Sequence, residues 1–157
     1  ATRRGGRRER CVRLGGGARQ VEATAGRTRR CLCVSTLPCR IQGGRIGLVA
    51  GMVGTLLDLK PVISCNEDGI YHTVAKARGR SKSLGLALEK AVEFAAGAKD
   101  FSITVMHGAA KDEADALIAA MKERLPGYRM SIEGQITPAL VVHTGPGLVG
   151  IGVQRLA

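Results

Sequence analysis

The sequence predicts an α/β fold, an α+β sandwich in which helices pack on one six-stranded mixed sheet. The chain has 157 residues, which is enough for one domain with its own core. Short β-rich runs alternate with longer segments whose apolar residues recur at helical spacing. Apolar residues make up 45% of the chain, too many for a fully disordered protein. Together these observations favour a folded domain of mixed class.

The first half of the chain predicts a strand, a buried helix and a hairpin. Residues 31–34 form a short apolar run, which indicates the first strand. Residues 45–57 are apolar on all sides and carry closely spaced glycines, which is typical of a buried helix that another surface approaches closely. Two β-rich runs, residues 61–64 and 70–74, flank an Asn-Glu-Asp-Gly turn and predict a β-hairpin.

The second half predicts two amphipathic helices and three strands. The first helix covers residues 83–97, with Ser81 or Ser83 as its cap. The second runs from Ala114 to Leu125 and ends at a Pro-Gly pair. Three further β-rich runs bring the number of strands to six: residues 101–106, 128–133 and 148–153. The segment between the last two strands, residues 136–147, is predicted to be a loop.

The net charge of +11 is concentrated at one end of the chain. Residues 1–40 hold eleven arginines against two glutamates, a net charge of +9, which leaves +2 on the remainder. Residues 1–26 contain hardly any large apolar side chains, so we expect them to be a disordered or non-native segment. The working domain is predicted over residues 27–157.

Composition excludes several classes of protein. No apolar run approaches the roughly 18 to 20 residues that cross a bilayer, so membrane insertion is not expected. The chain has no Trp, two Phe and two Tyr, too few aromatic side chains to stack single-stranded nucleic acid. Five cysteines, an odd number, without a signal-peptide segment argue for a reducing, cytoplasmic setting.

The segment His143-Thr144-Gly145-Pro146-Gly147 is the sharpest candidate site. It offers an imidazole, a hydroxyl and free backbone N–H groups at a strand entry, a combination that can hold a carboxylate or a phosphate. The alternative is a tight glycine turn that His143 caps. His107 precedes a helix and is favoured as a capping residue over a ligand-binding one, and His72 is expected to be a partly exposed sheet residue.

Catalysis and metal binding find little support in the sequence. No nucleophile-elbow motif is present, and neither His107 nor His143 has a paired acid or nucleophile nearby in sequence, so no catalytic residue is assigned. The spacing Cys31-x-Cys33-x5-Cys39 departs from the usual paired zinc motifs and lacks a fourth ligand. We therefore expect a protein that is not an enzyme and holds no metal.

Residues 76–82 place four positive charges within seven residues where a strand meets a helix. The cluster is either a solvated loop or a surface for an acidic partner or a phosphate. Cations at a helix N-terminus oppose the helix dipole, which favours the partner interpretation.

Several of these segments, taken together, resemble the DegV family of bacterial fatty-acid-binding proteins. Each is weak alone, but they occur in the family's order and spacing over residues 27–157: residues 43–46, 56–57 with 60–63, 76–82, 136–140 and 142–147. The resemblance implies the second of the family's two α/β domains. The first domain has no counterpart in residues 1–26. Ser35 stands where the family usually has Asp.

The resemblance also implies a function. A long-chain fatty acid is the expected ligand, with no other cofactor, and a kinase subunit that phosphorylates its carboxylate is the expected partner. Arg78 and Arg80 are the candidate docking residues for that kinase. The carboxylate is expected near His143, Thr144 and Gly145, and the acyl chain along the buried 45–57 helix: Ile46, Val49, Met52, Val53 and Leu56. Without the first domain we expect an open site and weak binding by this chain alone.

An alternative function from another class is nucleic-acid binding through the Arg-rich arm. Clustered arginines neutralise phosphates without sequence preference, so such binding would depend on salt. Deleting residues 1–30 discriminates the two functions, because it removes this binding while leaving the lipid site intact.

Overall fold

The fold is taken from a computed structural model, which describes residues 26–33, 59–66 and 70–156. These residues form six strands and three helices in the order β1, β2, β3, α1, β4, α2, β5, α3, β6. The strands are β1 (Thr28–Cys33), β2 (Leu59–Cys65), β3 (Tyr71–Arg78), β4 (Phe101–Gly108), β5 (Tyr128–Gln135) and β6 (Leu148–Arg155). The helices are α1 (Arg80–Ala95), α2 (Lys111–Arg124) and α3 (Pro138–Thr144).

The strands form one mixed sheet with the order β3-β2-β1-β6-β4-β5. Every neighbouring pair is antiparallel except β4 and β5, which run parallel and are joined by α2. A parallel pair needs such a crossover, because a tight turn can connect only antiparallel strands. The predicted six-stranded mixed sheet is therefore confirmed.

The main core lies between one face of the sheet and the helices α1 and α2. Helix α1 packs on β1, β2, β3 and β6, whereas α2 packs on β4 and β5. Alternate strand residues point into this core and are almost fully buried, for example Ile103, Val105, Ile151 and Val153. Each buried side chain of this size stabilises the fold by about 1.5–3 kcal/mol, so this helix-covered face supplies most of the hydrophobic stabilisation.

The opposite face carries a smaller apolar cluster. Ile63 and Leu148 are buried there, with Leu32, Tyr71 and Ile136 packed against them. Among the described residues, α3 is the helix that lies over this face, at the end where β4 finishes: a side chain at Gly108 would meet Ile136 and Val141. Leu32, Tyr71 and Met106 on this face stay partly exposed.

Two of the predicted element boundaries are wrong. The segment 136–147 is not a loop throughout, because α3 occupies its centre. Helix α1 begins at Arg80 behind Gly79, and neither Ser81 nor Ser83 caps it: Ser83 is buried within the helix. Gly79 has φ 83° and ψ 155°, a conformation that is essentially restricted to glycine. The predicted 45–57 helix and residues 1–25 lie outside the described residues.

Arg80 connects three separate parts of the fold. Its Nε and Nη2 donate to the carboxylate of Glu113 in α2, with an Nη2–Oε2 distance of 2.7 Å. Nη1 donates to the carbonyl of Cys33 at the end of β1, and Nη2 donates to the carbonyl of Gly147 after α3. Only 19% of the Arg80 side chain is exposed. A planar guanidinium can serve these acceptors together, whereas a lysine ammonium lacks this fork geometry.

We therefore expect Arg80→Lys to lower the free energy of unfolding by about 1–3 kcal/mol, because the charge is kept but the fork is lost. Urea denaturation measures this change. The matched control is Arg129→Lys, whose side chain is 70% exposed and pairs with Asp100 on the surface. The control should change stability by no more than about 0.5 kcal/mol. Equal losses in the two variants would contradict a bridging role for Arg80.

Candidate functional site

A cleft of about 140 Å³ lies on the sheet face opposite α1 and α2. Its floor comes from three neighbouring strands, with Leu32 in β1, Gly150 in β6 and Met106 in β4. These residues are direct neighbours in the sheet, because Gly150 is in register with both Leu32 and Met106. The remaining lining residues are Arg30, Cys65, Tyr71, Ile136, Leu140, Thr144 and Leu148. The cleft is thus mainly apolar, with polar groups at its margins.

Glycines in β6 create the trough in the middle of this face. A side chain at Gly150 would come within 3.1 Å of Leu32 Cδ2, and one at Gly152 would lie 3.5 Å from Thr104 Cβ. Leu32 therefore occupies the space next to Gly150, and no β6 side chain stands between β1 and β4 at these two positions. Because β6 has no side chains at these positions, the apolar side chains of β1 and β4 line one continuous surface across it.

Helix α3 forms the wall at one end of the cleft and is fixed at both of its ends to β4. The backbone N–H of Ile136 donates to the carbonyl of His107, and that of Gly147 donates to the carbonyl of Gly108. Pro138 begins the helix, a position where its missing N–H costs nothing and its φ is already suitable. The sequence therefore held a signal for α3 in Thr137-Pro138, although seven residues are too few for a clear helical period.

The turn after α3 differs from its predicted chemistry. The N–H of Gly145 donates to the carbonyl of Val141 over 2.7 Å, and the N–H of Gly147 is bonded to β4. The predicted free backbone N–H groups are therefore already paired. Thr144 is buried, and its hydroxyl donates to the carbonyl of Leu140 over 3.0 Å. A bound carboxylate would have to draw this proton away from Leu140.

Two predicted sets of site residues lie outside the described part of the structure. His143 belongs to α3 by its backbone, but its side chain is outside the described residues. The same holds for the whole of the predicted acyl-chain set, Ile46, Val49, Met52, Val53 and Leu56. The cleft residues Leu32, Met106 and Leu148 were missed, although their alternation along apolar strands is the signal that could have found them.

The two candidate docking arginines occupy different environments. Arg78 is exposed at the end of β3. Arg80 is held inside the fold by the contacts described above, so its donors are engaged by Glu113 and two backbone carbonyls. Of the pair, Arg78 is the one that faces solvent.

The other two histidines lie where the sequence places them. His107 Nδ1 accepts from the N–H of Ala110 at 3.4 Å, next to the first residue of α2, in agreement with the capping interpretation. His72 is partly exposed in β3, as predicted. Among the described residues, no group of three or more His, Cys, Asp or Glu side chains is arranged to hold a metal ion.

Comparison with known proteins bears on these features. The family model DegV, described as "Uncharacterised protein, DegV family", matches residues 17–156. The chain belongs to the DegV family. A DegV domain-containing protein of Clostridium acetobutylicum is 44% identical over 125 residues, which cover 78% of this chain and 43% of that protein. The match thus spans less than half the length of this relative. The DegV match begins ten residues before the predicted domain start at residue 27.

Solved DegV structures share the fold. A DegV family protein from Thermus thermophilus, whose structure is described as fatty acid binding, has a TM-score of 0.83 and 26% identity, covering 94% of this chain and 52% of that one. A stearic acid-binding protein from Eubacterium ventriosum has a TM-score of 0.76 and 25% identity, covering 94% and 51%. The alternative of nucleic-acid binding finds no support in these relatives. Within the described residues, no helix is long and apolar enough to cross a bilayer.

The turn at Gly145 provides a test of the wall of the cleft. Gly145 has φ 77° and ψ 163°, a region open essentially to glycine alone. We expect Gly145→Ala to lower the free energy of unfolding by about 1–3 kcal/mol. The control is Gly85→Ala in α1, where an added Cβ meets nothing, and this change should raise stability by up to about 1 kcal/mol. Thermal or urea unfolding that gives the same sign for both variants would contradict the assignment.

Proposed function

We propose that this chain binds a long-chain fatty acid, with the acyl chain in the cleft and the carboxylate at its α3 end. The observation that carries the proposal is the apolar cleft itself, which lies on the sheet face that α1 and α2 leave uncovered. Transfer of an acyl chain from water to such a surface is favourable by about 0.8 kcal/mol per methylene. The similar solved structures that are described as fatty acid binding supply the class of ligand.

The size of the cleft indicates how much of the site the described residues form. Its volume is about 140 Å³, whereas pockets for ligands of drug size hold about 300–1,000 Å³. The described residues therefore account for one part of the acyl site. In the proposal, the predicted residues Ile46, Val49, Met52, Val53 and Leu56 extend its apolar wall.

Polar groups at the two ends of the cleft determine which way the ligand lies. At the α3 end, Thr144 lines the cleft next to the turn at Gly145, and His143 belongs to the same helix by its backbone. Arg30 lines the cleft from β1, two residues from Leu32, and pairs with no carboxylate among the described residues. The Gly145 N–H is already bonded to the carbonyl of Val141. The Thr144 hydroxyl would have to turn from the carbonyl of Leu140 to the carboxylate. In the proposed orientation, His143 is therefore the principal partner of the carboxylate.

Two variants on α3 test the binding site. Leu140 lines the cleft and is 42% exposed, whereas Val142 is 76% exposed and does not line it. We expect Leu140→Asn to weaken stearate binding about five- to tenfold, because a polar amide replaces apolar contact with the acyl chain. Val142→Asn should stay within about twofold of the unchanged protein. Isothermal titration calorimetry of the full chain measures both.

The orientation is tested by comparing His143→Ala with Arg30→Gln in the same titration. The proposal requires the larger loss of affinity in His143→Ala. A larger loss in Arg30→Gln would place the carboxylate at the opposite end. Binding that is unaffected by both His143→Ala and Leu140→Asn would rule out this cleft as the fatty-acid site.

The proposal includes presentation of the bound acid to a kinase subunit that phosphorylates its carboxylate. Arg78 is the proposed docking residue, because it is exposed beside two further exposed cations, Lys76 and Lys82. No acidic residue lies in the first turn of α1 to balance these charges. An acidic patch on the partner would supply that balance. Arg80 supports this surface from inside the fold.

We expect Arg78→Glu to weaken association with the kinase subunit about tenfold, because it reverses one charge of the docking patch. The effect should shrink as salt is raised, since exposed charges are screened. The control is Lys99→Glu, another exposed cation, beyond the C-terminal end of α1. Surface plasmon resonance at two salt concentrations measures both variants. Equal weakening by the two variants would exclude a specific role for Arg78.

A further inference from the structure

A second concavity, a groove of about 570 Å³, lies on the helix-covered side of the sheet. It is bounded by the C-terminal half of α1 and by residues of β1, β3 and β6. Its volume falls within the range of about 300–1,000 Å³ that is usual for small-molecule sites. The groove is separate from the fatty-acid cleft, because the two open on opposite faces of the sheet.

The side chains that line the groove carry a net positive charge. Lys90 and Glu93 pair with each other over 2.7 Å and neutralise one another. Arg29 and Arg155 also line the groove, and neither pairs with a carboxylate among the described residues. Two guanidinium charges therefore remain for a ligand.

Both guanidinium groups are held against the same aromatic ring. Arg155 Cζ lies 4.7 Å from the centre of the Phe94 ring, and Arg29 Cζ lies 5.3 Å from it. Arg155 is fixed further, because its Nε and Nη2 donate to the carbonyls of Phe94 and Ala96. Its Nη1 makes no hydrogen bond to a described residue. Cations held in this way lose less conformational freedom when they bind an anion.

His72, which lines the groove, has a buried polar atom without a partner among the described residues. His72 Nδ1 is buried and makes no hydrogen bond among the described residues. Leaving such an atom unpaired costs about 1–3 kcal/mol, so a ligand that pairs with it gains affinity. The floor beside it is uncharged, because burial raises the pKa of the Cys31 thiol to about 11 and keeps it protonated at neutral pH.

We propose that this groove binds the phosphate group of a small anionic ligand, through Arg29, Arg155 and His72. A phosphate monoester has three terminal oxygens, enough for two guanidinium groups and one imidazole, whereas a carboxylate has two. The ligand is either free inorganic phosphate or a phosphate attached to a small alcohol, such as a lipid headgroup.

The test is a calorimetric titration of the full chain at low salt with inorganic phosphate, with glycerol 3-phosphate and with acetate. We expect saturable binding of at least one phosphate compound, and weaker binding of acetate. Preference for glycerol 3-phosphate over inorganic phosphate would indicate an esterified ligand, and vesicles containing phosphatidic acid then test a lipid source. Arg29→Gln should weaken phosphate binding about tenfold or more, because it removes a charged hydrogen-bond donor.

The matched control is Arg124→Gln, which removes the same charge from an exposed position in α2 and should change affinity by less than about twofold. Arg155 is left intact in this test because it also binds the carbonyls at the end of α1. The ring resonances of His72 should shift on saturation in the unchanged protein. The proposal is overturned if no phosphate compound saturates the chain, if Arg29→Gln and Arg124→Gln have equal effects, or if the His72 resonances do not move.

Discussion

The guanidinium of Arg80 ties together parts of the chain that are far apart in sequence. It bonds to the end of β1, to Glu113 in α2 and to Gly147 after α3. Gly147 in turn donates to Gly108 at the end of β4, and this bond fixes the exit of α3. The wall of the proposed fatty-acid cleft therefore depends on a side chain that enters from the start of α1. Removing one partner of a partly buried ion pair destabilises a fold, because the other charge is left unpaired.

Strand β1 serves both concave sites through its alternation. Arg30 and Leu32 line the cleft, whereas Arg29 and Cys31 line the groove on the other side. Successive side chains of a strand point to opposite faces, so a shift of one residue in register would exchange the two sets. The antiparallel pairing of β1 with both β2 and β6 fixes that register. The two proposed ligands would thus share one strand without sharing a side chain.

The sheet and the helices α1 and α2 could be predicted from sequence, because their apolar residues recur at strand or helix spacing over long, regular segments. Helix α3 was missed, because its seven residues span only about two turns and the surrounding Gly and Pro indicate a loop. At the site, the sequence pointed to His143-Thr144-Gly145 but not to its hydrogen bonds. The Gly145 N–H is bonded to Val141 because α3 forms, and the Gly147 N–H is bonded to Gly108, an acceptor that only tertiary structure brings close. The groove depends on β1, β3, β6 and α1 meeting in space, which no local pattern reveals.

The glycines of β6 make the depth of the trough on this face adjustable in steps of one methyl group. An alanine at position 152 would find ordinary van der Waals contact with Thr104, so the trough could become shallower there without any movement of the backbone. An alanine at position 150 would require Leu32 to give way by a few tenths of an ångström. Changes at these two positions alone would therefore alter the shape of the trough, and with it the space open to the proposed acyl chain, while the sheet stays the same.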